Sequence, residues 1–274
     1  MKHNICFVGA GNMASSLVGG LIANQHDKAA ITACDIDPHQ LQQLGDLYDI
    51  NTSQDAVDSA RQADVIMLAV KPQVMQAVCR QLAALPPNPD QLFVSIAAGI
   101  PSAAIDNWLG GGRAIVRCMP NTPSLLQLGA TGLAANARVS VAQKTAAEKI
   151  MQAVGIGIWV DAEADLDAVT AISGSGPAYF FYFIELLEAA GVKLGLSQDK
   201  AAALARQTAL GAASMSIDED VVELRARVTS KKGTTEQAIL SFQQNQLERL
   251  VDEATAAAHR RAQELARELT TEQD

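Results

Sequence analysis

Short, wholly apolar runs separated by helix-like segments constrain the first half of this chain more than any other feature. Asn4–Val8 is the first run and ends in glycine, and Gly11–Asn24 follows with helical spacing at Met13, Leu17 and Leu21. Ile31–Cys34 is a second run closed by Asp35, and Pro38–Leu47 is helical with Leu41 and Leu44 on one face. Val65–Val70, the helix-like Val74–Ala84, Leu92–Ile96 and Ala114–Arg117 continue the alternation. Four- to six-residue apolar strands of this kind are buried on both faces, which requires βαβ units and a mostly parallel sheet. Gly129–Ala134 and Ile156–Val160 would extend the sheet at its far edge.

After Val160 the pattern changes to helical spacing throughout. Leu166–Ala190 reads as one long helix with Ser173-Gly174-Ser175-Gly176-Pro177 set into it, followed by Gln198–Ile217 and Asp220–Val228. Thr235–Glu268 reads as one or two more helices, with a break near Gln243–Asn245. The expected fold class is α/β, a Rossmann-type sheet domain over residues 1–160 with an all-helical domain over 161–274. Aromatic residues make up only 4% of the chain. A helical domain rich in alanine and poor in core-filling rings is expected to complete its packing against a second copy.

The net charge of −9 disfavours a nucleic-acid partner, because a phosphate backbone would be repelled. No apolar run approaches the roughly 18 residues of a membrane span. Cys6, Cys34, Cys79 and Cys118 are scattered, with no CxxC pair and no histidine at ligand spacing. They read as small core residues of a reduced, cytoplasmic protein, and no metal site is expected.

Gly9-Ala10-Gly11-Asn12-Met13-Ala14 follows a strand and opens a helix, the setting in which a glycine turn binds a dinucleotide. Gly9 permits the tight turn, Gly11 lets the backbone reach the pyrophosphate, and Ala14 keeps helix and strand close. The diphosphate would then rest on free N–H groups at the positive helix end. Asp35 ends the second strand, where an acid either accepts from the ribose hydroxyls and favours NAD, or stands solvated and free to swing aside. Both readings of Asp35 stay open on the sequence. Ala69-Val70-Lys71-Pro72 leaves the apolar strand at the edge where such sheets bind ligands, and Met119-Pro120-Asn121-Thr122-Pro123 leaves another there, with Asn121 held between prolines. Thr234 and Gln237 stand at capping-box spacing, so a helix should begin near Thr235. Before it, Thr229-Ser230-Lys231-Lys232-Gly233 forms a turn with two cations, suited to a small carboxylate. A plain surface helix start would read the same way.

Taken together, the glycine turn, Ala69–Pro72, Arg117–Pro123, Ser173–Tyr179 and Thr229–Thr235 resemble, in this order over nearly the whole chain, the pyrroline-5-carboxylate reductases. The resemblance implies a Rossmann domain with a helical dimerisation domain, homodimers whose larger assemblies are often decamers, and NADPH or NADH as cofactor. It implies hydride transfer to the C=N bond of 1-pyrroline-5-carboxylate, giving L-proline. Carried across by position, it assigns the dinucleotide to Gly9, Ala10, Gly11, Asn12, Met13, Asp35, Ala69, Val70, Lys71, Pro72 and Asn121. It assigns the substrate to Ser230, Gly233, Thr234 and Thr235, with Thr235 catalytic. The family usually has Pro-Gly where this chain has Lys231-Lys232. A β-hydroxyacid dehydrogenase would need a lysine on the long helix, where none occurs before Lys193. A nicotinamide-binding sensor without catalysis is the non-enzymatic alternative.

Overall fold

The computed structural model describes residues 3–271. In the first half, β1 (Ile5–Val8), β2 (Ile31–Cys34), β3 (Asn51–Ser53), β4 (Val65–Leu68), β5 (Leu92–Ser95), β6 (Ala114–Met119), β7 (Gly129–Ala135) and β8 (Gly155–Trp159) make one sheet. Between them run α1 (Asn12–Ala23), α2 (Pro38–Tyr48), α3 (Ala56–Arg61), α4 (Pro72–Leu82), α5 (Ser102–Trp108) and α6 (Val141–Gln152). The strand order is β3-β2-β1-β4-β5-β6-β7-β8; β1 to β6 are parallel, and β7 with β8 runs opposite to them.

Side chains of one strand face opposite layers, so each apolar run serves both. Ile5 and Phe7 of β1 join Leu17, Val18 and Leu21 of α1 on one face. Cys6 and Val8 join Met75, Cys79 and Leu82 of α4 on the other. Covering on both faces is why these strands carry no alternation. All four cysteines are buried as free thiols, and the Sγ atoms of Cys6 and Cys34 lie 3.7 Å apart.

Four elements lie outside the sequence expectations. β3 is three polar residues with little apolar signal, recruited by pairing with β2. α3 and α5, of six and seven residues, are too short for their periodicity to declare itself. α6 carries a legible start, since Ser140 accepts from the Gln143 N–H and the Gln143 carboxamide accepts from the Ser140 N–H.

The second half is helical, with α7 (Leu166–Val169), α8 (Gly176–Lys193), α9 (Gln198–Met215), α10 (Val221–Arg227), α11 (Thr234–Gln244) and α12 (Leu247–Thr271). The long helix expected over Leu166–Ala190 is interrupted. Thr170–Gly174 is a π turn, in which the Ser175 N–H reaches the Thr170 carbonyl five residues back at 2.8 Å. A Cβ on Gly174 would come within 2.6 Å of the Met119 methyl, so the glycine there permits a close approach to β6. The last helical stretch divides at Asn245-Gln246, with Gln246 in the left-handed region at φ 57°.

Two compact units result. One holds the described residues up to Ser175 together with those from Ala258 onward, and the other is Gly176–Ala257. In the second unit only Gly176, Ala201 and Ala205 are buried, while Phe180, Phe181 and Tyr182 of α8 are more than 60% exposed. No helix among the described residues is long and apolar enough to cross a membrane.

Within the first unit a carboxylate fastens β6 to α5. Glu163 accepts from the Arg117 guanidinium at 2.8 Å, from the Ser102 N–H at 2.6 Å and from the Ser102 hydroxyl at 2.5 Å. Burial alone would raise the Glu163 pKa, but the hydrogen bonds from Ser102 and Arg117 outweigh it and hold the group below its ordinary value. A carboxylate with a depressed folded-state pKa contributes stability that is complete above its unfolded value and is lost as pH falls through the folded one. Chemical denaturation of the wild type should therefore show stability declining below pH about 4.5. Glu163→Gln should be less stable near neutrality and should decline less steeply over that acid range.

Candidate active site

The glycine turn sits where the strand order reverses, between β1 and its neighbours β2 and β4. In open α/β sheets this is the crevice that receives ligands. Gly9 adopts φ 108°, and a Cβ there would lie 2.5 Å from the Ala69 carbonyl oxygen and 3.0 Å from the Val70 nitrogen. Its N–H donates to the Cys34 carbonyl at 2.7 Å, while the Ala69 N–H donates to the Val8 carbonyl at 2.8 Å. The structure thus brings Gly9, Ala10, Asp35, Ala69 and Val70 together at one sheet edge.

Gly11 is a different case. Its φ of −75° is open to any residue, and a Cβ there would meet nothing within 4 Å. The protein's own packing therefore does not demand a glycine at this point. The open space lies at the N-terminus of α1, where no side chain caps the helix and the first N–H groups are free for an anion. A pyrophosphate fits this cradle by charge and by clearance. Asn12 opens the helix exposed, and Met13 packs half-buried on the core.

Asp35 is more constrained than a solvated strand-end acid. One carboxylate oxygen accepts from the Ala10 N–H at 2.8 Å and the other from the Asp37 N–H at 3.0 Å. The Ala10 N–H, committed to Asp35, is thereby withdrawn from the donors facing the pyrophosphate cradle. Ile36, next in the chain, is 91% exposed. Sequence reasoning passed over it, although a lone apolar residue between two aspartates was the available signal. Lys71 is exposed at the N-cap of α4, with Pro72 as the first helical residue.

Asn121 is placed differently from the turn residues. Its carboxamide oxygen accepts from the Ala130 N–H at 2.9 Å and its nitrogen donates to the Ser173 carbonyl at 3.0 Å. It ties the loop after β6 to the start of β7 and to the π turn, and this bridging occupies both ends of the amide.

In the second unit, Ser230 and Gly233 stand in the turn ahead of α11, and Thr234 and Thr235 are the first two residues of that helix. The expected capping box does not form: Gly233 is the N-cap, and no side chain caps it. Instead the Glu236 carboxylate reaches back to the Lys232 N–H at 2.7 Å. The Gly233 N–H donates to the Ser230 carbonyl at 2.9 Å, so it is not an anion donor. The orphan donors of this helix start are the N–H groups of Thr234, Thr235 and Glu236. Lys232 sits in the left-handed region at φ 61°, a conformation natural to glycine and strained for lysine. Lys231 and Lys232 are exposed and in no ion pair among the described residues. The helix terminus and the two lysines add positive potential here, offset in part by the Glu236 carboxylate.

The two glycines of the turn should respond oppositely to the same substitution. Gly9→Ala should unfold the chain at markedly lower denaturant, through left-handed strain and the clash with Ala69. Gly11→Ala should leave stability within about 0.5 kcal/mol of wild type. In fluorescence titration, the same variant should lose about tenfold or more in dinucleotide affinity, because the methyl fills the space the pyrophosphate needs. Unchanged affinity in Gly11→Ala would remove the cradle from the site.

Comparison with known proteins bears on both units. A family profile described as pyrroline-5-carboxylate reductase dimerisation matches residues 163–265. One described as NADP oxidoreductase coenzyme F420-dependent matches residues 4–99. A pyrroline-5-carboxylate reductase of Pseudomonas aeruginosa is 53% identical over 97% of both chains, and one of Vibrio alginolyticus is 42% identical over 97% of this chain and 98% of its own. Among solved structures, the Coxiella burnetii reductase superposes with a TM-score of 0.93 at 44% identity, covering 97% of this chain and 99% of its own. The Plasmodium falciparum enzyme, solved with NADP bound, gives 0.80 at 30% identity over 97% and 98%. A 3-hydroxyisobutyrate dehydrogenase of Mycobacterium tuberculosis, at 16% identity and a TM-score of 0.52, shares the fold alone. The chain belongs to the pyrroline-5-carboxylate reductase family.

Proposed function

We propose that this chain catalyses the NAD(P)H-dependent reduction of 1-pyrroline-5-carboxylate to L-proline. The observation that carries the reading is the 53% identity to a reductase of that name across 97% of both chains. The glycine turn at α1 and the uncapped start of α11 supply the two anion sites this chemistry needs. Bound NADPH or NADH would supply hydride to the C=N carbon.

The chain's own part is binding, orientation and one hydrogen bond. The cofactor pyrophosphate is assigned to the Gly11–Met13 N–H groups, with Gly9, Ala69, Val70, Lys71 and Pro72 shaping the same sheet edge. The substrate carboxylate is assigned to the N–H groups of Thr234 and Thr235, with Ser230, Lys231 and Lys232 on the same turn. The Thr235 hydroxyl is assigned to the imine nitrogen, where a donated hydrogen bond makes the neighbouring carbon more electrophilic. A neutral hydroxyl is a weak acid, so its role is to orient the imine and pass on a proton from water. Much of the acceleration then comes from holding hydride donor and acceptor carbons about 3–3.5 Å apart.

Residues 161–274 are proposed to serve substrate binding and dimerisation. The unit Gly176–Ala257 buries too little of its own surface to stand alone, and its exposed aromatic helix α8 suits a second copy of the same unit. The four reduced thiols fit the cytoplasm as the working compartment.

Nicotinamide absorbance in the presence of 1-pyrroline-5-carboxylate tests the activity directly. Folded protein that binds the dinucleotide yet oxidises neither NADH nor NADPH would favour a sensor. Thr235→Ala should lower kcat by about 100-fold or more while leaving cofactor affinity nearly unchanged. Near-wild-type turnover would remove Thr235 from the mechanism. Sedimentation at micromolar concentration should give twice the 28.9 kDa chain mass or a multiple of it, and a monomer would overturn the dimer.

A further inference from the structure

We propose that Asp35 makes the cofactor site of this chain selective for NADH over NADPH. The inference rests on the dinucleotide reading of the glycine turn and concerns the end of β2, where the adenosine ribose of a dinucleotide lies in such folds. An acid at that place excludes a 2′-phosphate only if it stays there, and here the backbone holds it. The Asp35 carboxylate accepts from the Ala10 N–H at 2.8 Å and from the Asp37 N–H at 3.0 Å. Ala10 is only 3% exposed, so swinging Asp35 away would leave a buried N–H without a partner. Bonds of this kind to an ionised acceptor are the strong ones. Each oxygen keeps a second lone pair, free to accept from a ribose hydroxyl.

The surroundings offer a phosphate nothing in exchange. Asp37 adds a second carboxylate, itself fixed as the N-cap of α2 by the His39 N–H at 2.9 Å. Residues 29–60 contain six aspartates and neither lysine nor arginine, and their one basic side chain, His39, is exposed. Of the flanking cations, Lys28 pairs with Asp49 at 3.7 Å. Arg61 ends α3, next to the start of β4 at the opposite sheet edge. Lys71 follows β4, across β1 from β2. A 2′-phosphate at the end of β2 would therefore shed water against two carboxylates, with no lysine or arginine within residues 29–60 to receive it. The Ile36 side chain, between those carboxylates and 91% exposed, offers an apolar face suited to an adenine ring.

Titration of the wild-type chain with each reduced dinucleotide, read by nicotinamide fluorescence, should give a Kd for NADPH at least about tenfold above that for NADH. ADP-ribose should displace bound NADH, and its 2′-phosphorylated form should do so about tenfold less well, which locates the discrimination at the ribose. Asp35→Asn keeps an acceptor for the Ala10 N–H but loses the charge, and it should narrow the NADPH-to-NADH ratio to below about threefold. Equal or tighter binding of NADPH by the wild type would overturn the proposal. So would equal displacement by the two ADP-riboses, or an unchanged ratio in Asp35→Asn that melts within a few degrees of wild type. Binding of neither dinucleotide would instead overturn the dinucleotide reading on which this inference stands.

Discussion

The contact between Gly9 and the Ala69 carbonyl governs the geometry of the sheet's ligand-binding edge. A Cβ at Gly9 would be 2.5 Å from that oxygen, so the chain turns there only because the side chain is missing. The turn lets α1 start immediately beyond β1, with its unpaired N–H groups at the edge where the strand order reverses. It also presents the Ala10 N–H to the end of β2, where Asp35 takes it. One steric requirement between two backbones thus places a helix dipole, a clearance at Gly11 and a fixed carboxylate together.

The two units solve the burial problem in opposite ways. The sheet unit covers both faces of its strands with its own helices, and even its charged group Glu163 finds three donors within the unit. The helical unit buries three small residues and leaves the rings of α8 in solvent. If such a unit completes its packing in the proposed dimer, its stability depends on protein concentration. Under the proposed function, substrate chemistry and assembly are linked, since Thr235, at the start of α11, belongs to this same helical unit.

What the sequence made legible follows the range of the forces involved. The apolar runs of β1, β2, β4, β5 and β6 declared the parallel sheet, because burial on both faces is a local compositional demand. The glycine turn was equally plain. Asp35 was visible as a residue, but its fixation was not, because the donor is a backbone N–H twenty-five residues earlier. β3 has no pattern of its own and exists through pairing with β2. The Thr234–Gln237 spacing suggested a cap, yet Glu236 reaches back to Lys232 instead, a choice decided by the local turn. Within the π turn at Thr170–Gly174, the Met119 methyl lies against Gly174, a long-range contact that spacing alone does not give. Asn121 was legible as a residue between two prolines and was assigned to the dinucleotide, while the groups its carboxamide bonds, Ala130 and Ser173, lie nine and fifty-two residues away.

The uneven distribution of rings has a practical side. Both tryptophans, Trp108 and Trp159, sit in the sheet unit, whereas Tyr179–Phe183 place five of the chain's eleven aromatic residues in a row on α8. Indole emission therefore reports the sheet, and the near-ultraviolet dichroism of tyrosine and phenylalanine is weighted toward the helical unit. Coincidence of optical probes is the usual evidence for a single cooperative transition. In this chain the two signals come from different units, so their divergence on dilution would mark dissociation of the helices before the sheet melts.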